Sequence, residues 1–253
     1  MKFYRKTETK TNVHLVFNNL LDKDVQSIFF PLNLMHYIVF CPKYTIKNNF
    51  IIPTSFIVKL ISILGTLVFI SVTLYRNYYL FFYQESVTIS PFMYYSSYYD
   101  ALFYSFGFSM NCLFGIFKSE LIIRSIMTFQ NIHRYLNNES NTRRNIILNW
   151  TYVIVTFVGY FSIYTYFYSQ LSNSYNLTNA FFLVSFDINA VLAIRSLNLL
   201  EDKISLWNVS ICKNQELENV NDRNYAKKMY QAYVNVLECY ETLKTLSRSF
   251  VST

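Results

Sequence analysis

Four blocks of apolar residues, each about as long as a lipid bilayer is thick, constrain the fold of this chain more than any other feature. The hydrocarbon core of a bilayer, roughly 30 Å thick, needs about 20 helical residues to cross it. A β-barrel is disfavoured because the chain has only four glycines and four prolines, too few for many tight turns. We therefore predict an all-α polytopic membrane bundle with four transmembrane helices, at residues 56–75, 92–117, 150–169 and 178–198.

The basic residues are sorted between the segments that these spans separate. Of 22 lysines and arginines, seven precede the first span, five lie between the second and third, and seven follow the fourth. Only Arg76 lies in the other two loops, and Lys59 and Arg195 lie within spans. Because cytoplasmic loops retain basic residues, we predict a multi-pass cell-membrane protein with both ends of this sequence in the cytoplasm. Orientation thus explains the net charge of +7, and no nucleic-acid partner is expected.

Three regions follow from this topology. Residues 1–55 form a cytoplasmic amphipathic or interfacial segment, 56–198 contain the spans, and 199–253 form cytoplasmic amphipathic helices leading towards a fifth span. The apolar stretch 28–40 is too short to cross a bilayer and contains Pro31, so we expect it at the interface or packed against the bundle. Residues 118–149 are expected to continue the second helix as far as the polar run NNESNTRR.

The end of the fourth span and its continuation combine charge with an apolar stripe. Arg195 lies near the cytoplasmic end of the span, where we expect its long side chain to reach the lipid headgroups. Beyond it, an apolar stripe recurs at helical spacing and requires a protein partner or the lipid interface. The stripe consists of Leu197, Leu200, Ile204 and Trp207.

Two acidic residues fall inside predicted spans at a similar depth, in the outer half of the bilayer. Asp100 lies in the second span and Asp187 in the fourth. A carboxylate there costs a few kcal/mol on insertion scales, so it usually faces a cavity or a partner. The two acids are therefore candidates for a shared polar pocket. Alternatively, each is protonated or hydrogen-bonded to a polar side chain on a neighbouring helix.

Tyrosines surround the level of these two acids. A phenol combines an apolar face with a hydroxyl group, which suits an amphipathic organic ligand. The candidate ligand-binding set is therefore Asp100, Tyr104, Tyr160, Tyr164 and Asp187. Interfacial aromatic belts offer another explanation of the tyrosines. AT-rich coding, which would raise the 19% aromatic content throughout the chain, offers a third.

Signals of enzyme chemistry are missing from the sequence. The three histidines have no companion at metal or triad spacing, and the four cysteines match no metal-site pattern. We also find no glycine-rich phosphate loop, nucleophile elbow or HExxH sequence. We therefore expect neither an enzyme nor a cofactor or metal site. Of four glycosylation sequences, only that at Asn176 falls in an expected outside loop.

Three stretches resemble insect gustatory receptors, and lepidopteran members in particular. They are PLNLMHYIVFCPKYTIKNNFIIP before the first span, FDINAVLAIRSLNLLEDKISLWN across the fourth, and YAKKMYQAYVNVLECYETLKTLSRSF near the end. The resemblance implies a seven-helix subunit with a cytoplasmic N-terminus, assembled as a homo- or heterotetrameric ligand-gated cation channel. It also implies a tastant pocket in the outer half of the bundle, the depth of Asp100 and Asp187. The aromatic, weakly acidic lining favours bitter plant compounds over sugars.

The resemblance stops before the parts that conduct ions. The family's seventh helix forms the pore and carries a Thr-Tyr…Gln-Phe motif, whereas this sequence ends before a fifth span. An incomplete gene model, a truncated isoform or a decaying gene would each explain this. Two other functions remain open, those of an odorant receptor fragment and of a non-sensory four-span membrane scaffold that docks partners through its cytoplasmic helices.

Overall fold

The computed structural model describes residues 19–83, 91–171, 174–216 and 223–251. In these ranges the chain forms seven helices and one short hairpin. Helices α1 to α4 are Lys23–Ile38, Phe56–Tyr83, Pro91–Phe117 and Ser119–Tyr135, and α5 to α7 are Glu139–Leu171, Ser174–Glu216 and Arg223–Val251. Strands β1 (Thr45–Lys47) and β2 (Phe50–Ile52) lie between α1 and α2.

The predicted helical class is confirmed, and each of the four predicted spans lies inside one helix: α2, α3, α5 and α6. Among the described residues, two segments are long and apolar enough to cross a membrane by length and composition. These are Phe56–Tyr75, with a mean hydropathy of 2.3, and Glu139–Ile163, with 1.7; Ala101–Phe117 is apolar but shorter. Many side chains of the second and fourth predicted spans lie outside the described set, so the count of four spans stays a prediction.

Most buried apolar side chains lie in one region, which we call the packed junction. It comprises α1, the hairpin, α4, α7 and the parts of α5 and α6 that they touch. Here α4 packs against α7, and α1 packs against α5. At its centre the rings of Phe29 and Phe129 meet edge to face at 5.4 Å between centroids, and Ile28, Ile132 and Val236 are buried around them. In the predicted topology this region lies on the cytoplasmic side.

A second region exposes apolar side chains instead of burying them. We call it the apolar shell, and it comprises the outward surfaces of α2, α3 and α5 along the predicted spans. Large side chains that are at least half exposed there include Phe56, Ile57, Leu64, Leu67, Tyr95, Tyr99, Leu102, Phe103, Val155, Phe161 and Tyr166. Contiguous apolar surface on this scale indicates contact with a partner or a membrane.

The stretch around Pro31 is helical and packs against the bundle, one of the two arrangements expected for it. Helix α1 ends in a tight turn in which Phe40 N–H bonds to the Tyr37 carbonyl and Cys41 N–H bonds to that of His36. This is the Schellman pattern, in which a glycine usually adopts the left-handed conformation. Phe40 adopts it here, with φ at 58°, and its Cβ would lie 3.2 Å from a Cβ added at Gly65 of α2. That close contact holds the turn against the first predicted span.

The hairpin was not predicted from the sequence. Its strands pair in antiparallel register, with Lys47 opposite Phe50. Asn48 and Asn49 form the two-residue turn with φ of 53° and 65°. A two-residue hairpin turn of this kind needs positive φ at both positions, which asparagine tolerates. The sequence KNNF therefore contained a readable signal for it.

The expectation of one continuous helix from the second span to the NNESNTRR run is wrong. The helix breaks at Lys118, whose φ of −104° and ψ of 8° leave the helical range, and α4 restarts at Ser119. A second break precedes α5, where Asn138 Oδ1 accepts a hydrogen bond from Ser140 N–H at 3.0 Å as a helix N-cap. These breaks let α4 turn so that its apolar face packs against α7.

The outside loop expected to hold Asn176 is also shorter than predicted. Helix α6 begins at Ser174, so Asn176 lies in its first turn.

Candidate functional site

The structure describes two of the five predicted ligand-binding side chains. Tyr104 in α3 and Tyr160 in α5 are both half-buried and pack against the apolar core. The side chains of Asp100, Tyr164 and Asp187 lie outside the described set. Helix α6, which contains Asp187, contacts both α3 and α5. The helices that carry the predicted residues are therefore neighbours, while the pocket itself stays a prediction.

A cavity lies elsewhere, in the packed junction between α1, the segment before β1, α4, α6 and α7. It leaves about 60 Å³ for the centres of water-sized spheres. Its described lining includes neither Tyr104 nor Tyr160. Most of the lining is apolar, with a few polar groups among it. These polar groups are Lys43, Ser125, Asn189, Ser196 and Cys239.

The backbone around Lys43, one of the residues that line this cavity, crosses α3 closely. A Cβ added at Gly115 would lie 3.4 Å from the Pro42 carbonyl oxygen and 3.9 Å from Lys43 Cδ, so the glycine leaves room for the crossing. One helical turn earlier, Asn111 accepts hydrogen bonds from Lys43 Nζ through its side-chain Oδ1 and its backbone carbonyl. Lys43 is completely buried. The two α3 positions thus hold the stem and the ammonium group of Lys43 against α3.

Burial also governs the electrostatics around Lys43. Loss of solvation lowers the pKa of Lys43 from 10.5 to about 8. Nearby His36 is buried too, and burial together with the Lys43 charge lowers its pKa well below 6.5. Burial raises the pKa of the Cys41 thiol to about 12. At neutral pH the group therefore consists of a charged lysine beside a neutral imidazole and a neutral thiol.

The prediction that Arg195 reaches the lipid headgroups is wrong. Its side chain is buried within the protein, with 3% exposure. Its Nε donates to Asn149 Oδ1 at 2.7 Å, and its guanidinium carbon lies 5.0 Å from the centre of the Tyr152 ring. Asn149 in turn donates through Nδ2 to the Ile28 carbonyl at 2.7 Å. This chain of bonds links α6, α5 and α1. The Asn149 amide oxygen and the Tyr152 ring replace part of the water that the arginine loses on burial.

A further buried cation lies farther along α6. Lys203 is 3% exposed and donates to the Leu136 carbonyl at 2.8 Å. Its ammonium group lies 6.0 Å from the centre of the Phe129 ring. Burial lowers the pKa of Lys203 to about 8. Burial and the Lys203 charge together lower the pKa of neighbouring His133 to about 4, so the imidazole stays neutral.

The apolar stripe beyond the fourth span finds part of its partner within the chain. Trp207 Nε1 donates to the Met229 carbonyl of α7 at 2.9 Å, and the Trp207 ring lies 5.3 Å from that of Tyr233. Leu200 is buried, whereas Leu197 and Ile204 remain exposed. The expectation of a protein partner or the lipid interface is therefore met within the chain for Leu200 and Trp207, and Trp207 finds its partner on α7.

Sequence reasoning missed Lys43, Asn111, Asn149 and Lys203. Lys43 and Lys203 were counted only as evidence for orientation, since a buried and an exposed lysine look alike in a sequence. No group of three His, Cys, Asp or Glu side chains in the described ranges could hold a metal ion.

No protein-family model, curated protein or solved structure matches this chain.

Proposed function

We propose that this chain is a chemosensory membrane protein of the gustatory receptor kind. In this proposal four spans cross the cell membrane with both ends of the sequence in the cytoplasm. The spans hold an organic tastant, with bitter plant compounds as the favoured class, and the packed junction anchors them from the cytoplasmic side. The subunit assembles as a homo- or heterotetramer in a ligand-gated cation channel. Pore formation, which the resemblance assigns to a seventh helix, is not assigned to these residues.

The observation that carries the proposal is the division of the molecule into the apolar shell and the packed junction. The candidate span Phe56–Tyr75 has few buried residues, although it is the most apolar long segment described. A soluble core helix of that composition would be covered by protein. The basic residues favour one side of the predicted membrane by 19 to 1, and the junction lies on that same side.

The proposed ligand site lies between α3, α5 and α6, at the level of Tyr104 and Tyr160. Both rings are half-buried, as a ring that contacts the core on one side and a ligand on the other would be. Asp100, Tyr164 and Asp187 complete the proposed site. The carboxyl groups would orient a polar end of the ligand, and the rings would contact its apolar body.

Binding of a small panel of compounds to the purified chain in lipid nanodiscs tests this site. We expect saturable binding of at least one aromatic plant compound, measured by ligand-observed NMR, and no binding of sucrose. Tyr160→Ala and Asp187→Asn should each weaken that binding by about tenfold. Tyr240→Ala is the matched control, because Tyr240 is exposed on α7, away from the spans. Unchanged affinity in both site variants would refute the pocket.

One observation favours the scaffold function as a second candidate. Helix α7 carries an exposed row of large side chains, Tyr230, Leu237 and Tyr240, beside its buried face. Such a row would suit a protein partner in the cytoplasm. Stable subunits that co-purify with the chain, combined with no response to any compound in the panel, would favour this candidate over the receptor.

A further inference from the structure

We propose that the outward face of helix α1 lies in the inner leaflet of the membrane, so that α1 contacts lipid on one side and the packed junction on the other. The partners of this face are the acyl chains just below the lipid headgroups. The inference rests on the proposed function for its topology, because it requires spans that cross the membrane with the junction on the cytoplasmic side.

The outward face of α1 is apolar in its C-terminal half. The opposite face is buried against α5 and α6. On the outward face Phe30 and Ile38 are exposed, and the half-buried Leu34 lies between them at a spacing of four residues, so the three side chains form one row. We call this row the α1 stripe. The positions that precede it on the same face, Lys23 and Ser27, are polar and exposed, which suits contact with headgroups.

Both ends of the α1 stripe lie against helices whose outer surfaces belong to the apolar shell. The ring of Phe30 lies 6.1 Å from that of Trp150 on α5. In the turn that ends α1, the exposed Phe40 has its Cβ 3.2 Å from a Cβ added at Gly65 of α2. The stripe is therefore continuous with the apolar surface of two predicted spans, and a bilayer that covers those spans would also cover the stripe.

Basic residues on the spans mark the inner boundary of the hydrocarbon. The rings of Phe69 on α2 and Phe108 on α3 meet at 4.9 Å between centroids, so these residues lie at one level of two helices that run in opposite directions in the predicted topology. Ten residues from that level towards the cytoplasm lie Lys59 on α2 and Lys118 on α3, neither of which is buried. Because lysines at span ends reach the headgroups, this pair places the boundary.

The two ends of the α1 stripe lie at a similar depth beyond that boundary. Gly65 follows Lys59 by six residues, which is about 9 Å along the helix. On α5, Trp150 follows the exposed Arg143 by seven residues, which is about 10 Å. An interfacial helix buries its apolar face roughly 5–10 Å into the boundary between headgroups and acyl chains. The stripe therefore runs along the inner leaflet at the depth expected for such a helix.

Fluorine NMR on the full chain in lipid nanodiscs tests the position of the stripe. The chain is labelled with 5-fluorotryptophan, and Ile38→Trp adds one fluorine on the stripe while the native tryptophans stay in place. Tyr230→Trp, at an exposed position on α7, is the matched control. Two paramagnetic agents are compared, a phospholipid with a nitroxide high on its acyl chain and a water-soluble gadolinium chelate.

The two positions should respond in opposite ways. We expect the nitroxide lipid to broaden the added Ile38→Trp resonance at least about twofold and the chelate to leave it sharp, because the stripe is covered by acyl chains. The Tyr230→Trp resonance should be broadened by the chelate alone. Broadening of Ile38→Trp by the chelate would place the stripe in water, and broadening by neither agent would mean that protein covers it. Either result would overturn the proposal.

Two further variants keep the test decisive. If Ile38→Trp disturbs the native tryptophan resonances, Phe30→Trp places the fluorine at the other end of the stripe with the same expected response. Val155→Trp, exposed in the third predicted span, examines the topology separately. Broadening of Val155→Trp but not of the stripe positions by the nitroxide lipid would overturn this proposal and leave the spans intact. No broadening of Val155→Trp would refute the spans and the position of the stripe together.

Discussion

The packed junction and the apolar shell treat their large apolar side chains in opposite ways. Phe129 in the junction is 3% exposed, whereas Phe161 in the shell is 73% exposed. The junction also buries Arg195 and Lys203, each bonded to a neutral oxygen. The shell instead presents long uninterrupted apolar surface. The junction therefore stabilises itself by internal packing, while the shell requires an apolar environment outside the chain.

The comparison shows that apolar composition alone does not define a membrane span. Residues 28–40 are as apolar as parts of the spans, yet α1 is covered by α5 and α6. The two regions differ in how apolar side chains are distributed around each helix. Helix α4 has one apolar face that packs against α7, whereas α2 is apolar on almost all sides and buries only a few of its residues.

The same substitution in both regions should produce the largest contrast. Phe129→Ala removes a ring packed against Phe29, so we expect it to lower the free energy of unfolding by about 3–5 kcal/mol. Phe161→Ala should change it by less than about 1 kcal/mol, because surface positions seldom contribute more. Denaturant unfolding in detergent micelles measures both. Equal losses in the two variants would show that the regions are not different in packing.

Removal of Asn149 should be the next largest effect, because it breaks the link between three helices. Asn149→Ala leaves the Arg195 guanidinium and the Ile28 carbonyl without their partner. We expect the free energy of unfolding to fall by about 3 kcal/mol, since one of the two hydrogen bonds involves a buried charge. Asn208→Ala, at an exposed position of the same helix as Arg195, is the control and should have little effect. A loss below 1 kcal/mol in Asn149→Ala would mean that water replaces the amide.

Lys203 should make the junction more stable as the pH rises from about 8 to 10.5. The pKa of Lys203 is about 8 in the fold and near 10.5 when the chain is unfolded. Between these values the unfolded chain binds more protons, so raising the pH favours the folded state. Below pH 8 both states are protonated and the full cost of burying the charge remains. One pKa unit corresponds to about 1.36 kcal/mol, so the gain is at most about 3 kcal/mol.

The difference between wild type and Lys203→Met isolates this effect. Burial raises the pKa of Cys239 to about 11, and such thiols lower stability at high pH in both proteins, so they cancel in the comparison. We expect wild type to gain stability relative to Lys203→Met as the pH rises from 8 to 10.5. If the free energies of unfolding of the two proteins change in parallel with pH, Lys203 keeps an ordinary pKa.

The smallest expected effect concerns an exposed ion pair at the edge of the junction. Arg134 donates two hydrogen bonds to Asp22, at 2.7 and 2.9 Å, and this pairing lowers the pKa of the Asp22 carboxyl. Asp22→Asn should lower the free energy of unfolding by about 0.5–1 kcal/mol. Added salt should reduce this difference between wild type and variant, because exposed ion pairs are screened. A difference that persists in molar salt would indicate a role beyond this charge pair.

The helices of the spans could be predicted from the sequence, because a long apolar run without proline leaves few alternatives. The start of the first span at Phe56 agrees with the start of α2. The break at Lys118 could not be predicted, since it is set by the contact of α4 with α7, a pairing between residues far apart in the chain. The hairpin was missed because its strands have only three residues each.

The candidate site was less predictable than the fold. Asp100 and Asp187 stand out in a sequence because a charge inside an apolar run is conspicuous. Lys43 and Lys203 do not stand out, because they lie in mixed segments where an exposed lysine is the ordinary expectation. Arg195 was noticed, but the predicted orientation of its side chain was wrong. Its hydrogen-bond acceptor, Asn149, lies 46 positions away on another helix.

The central claim is that the spans cross a membrane with the packed junction on the cytoplasmic side. Labelling of cysteines in intact cells with a membrane-impermeant maleimide tests it most directly. The exposed native Cys212 lies on the predicted inner side, and Asn173→Cys places a thiol in the predicted outer loop. We expect Asn173→Cys to react in intact cells and Cys212 to react only after permeabilisation. Reaction of Cys212 in intact cells, or the same pattern at both positions, would contradict the claim.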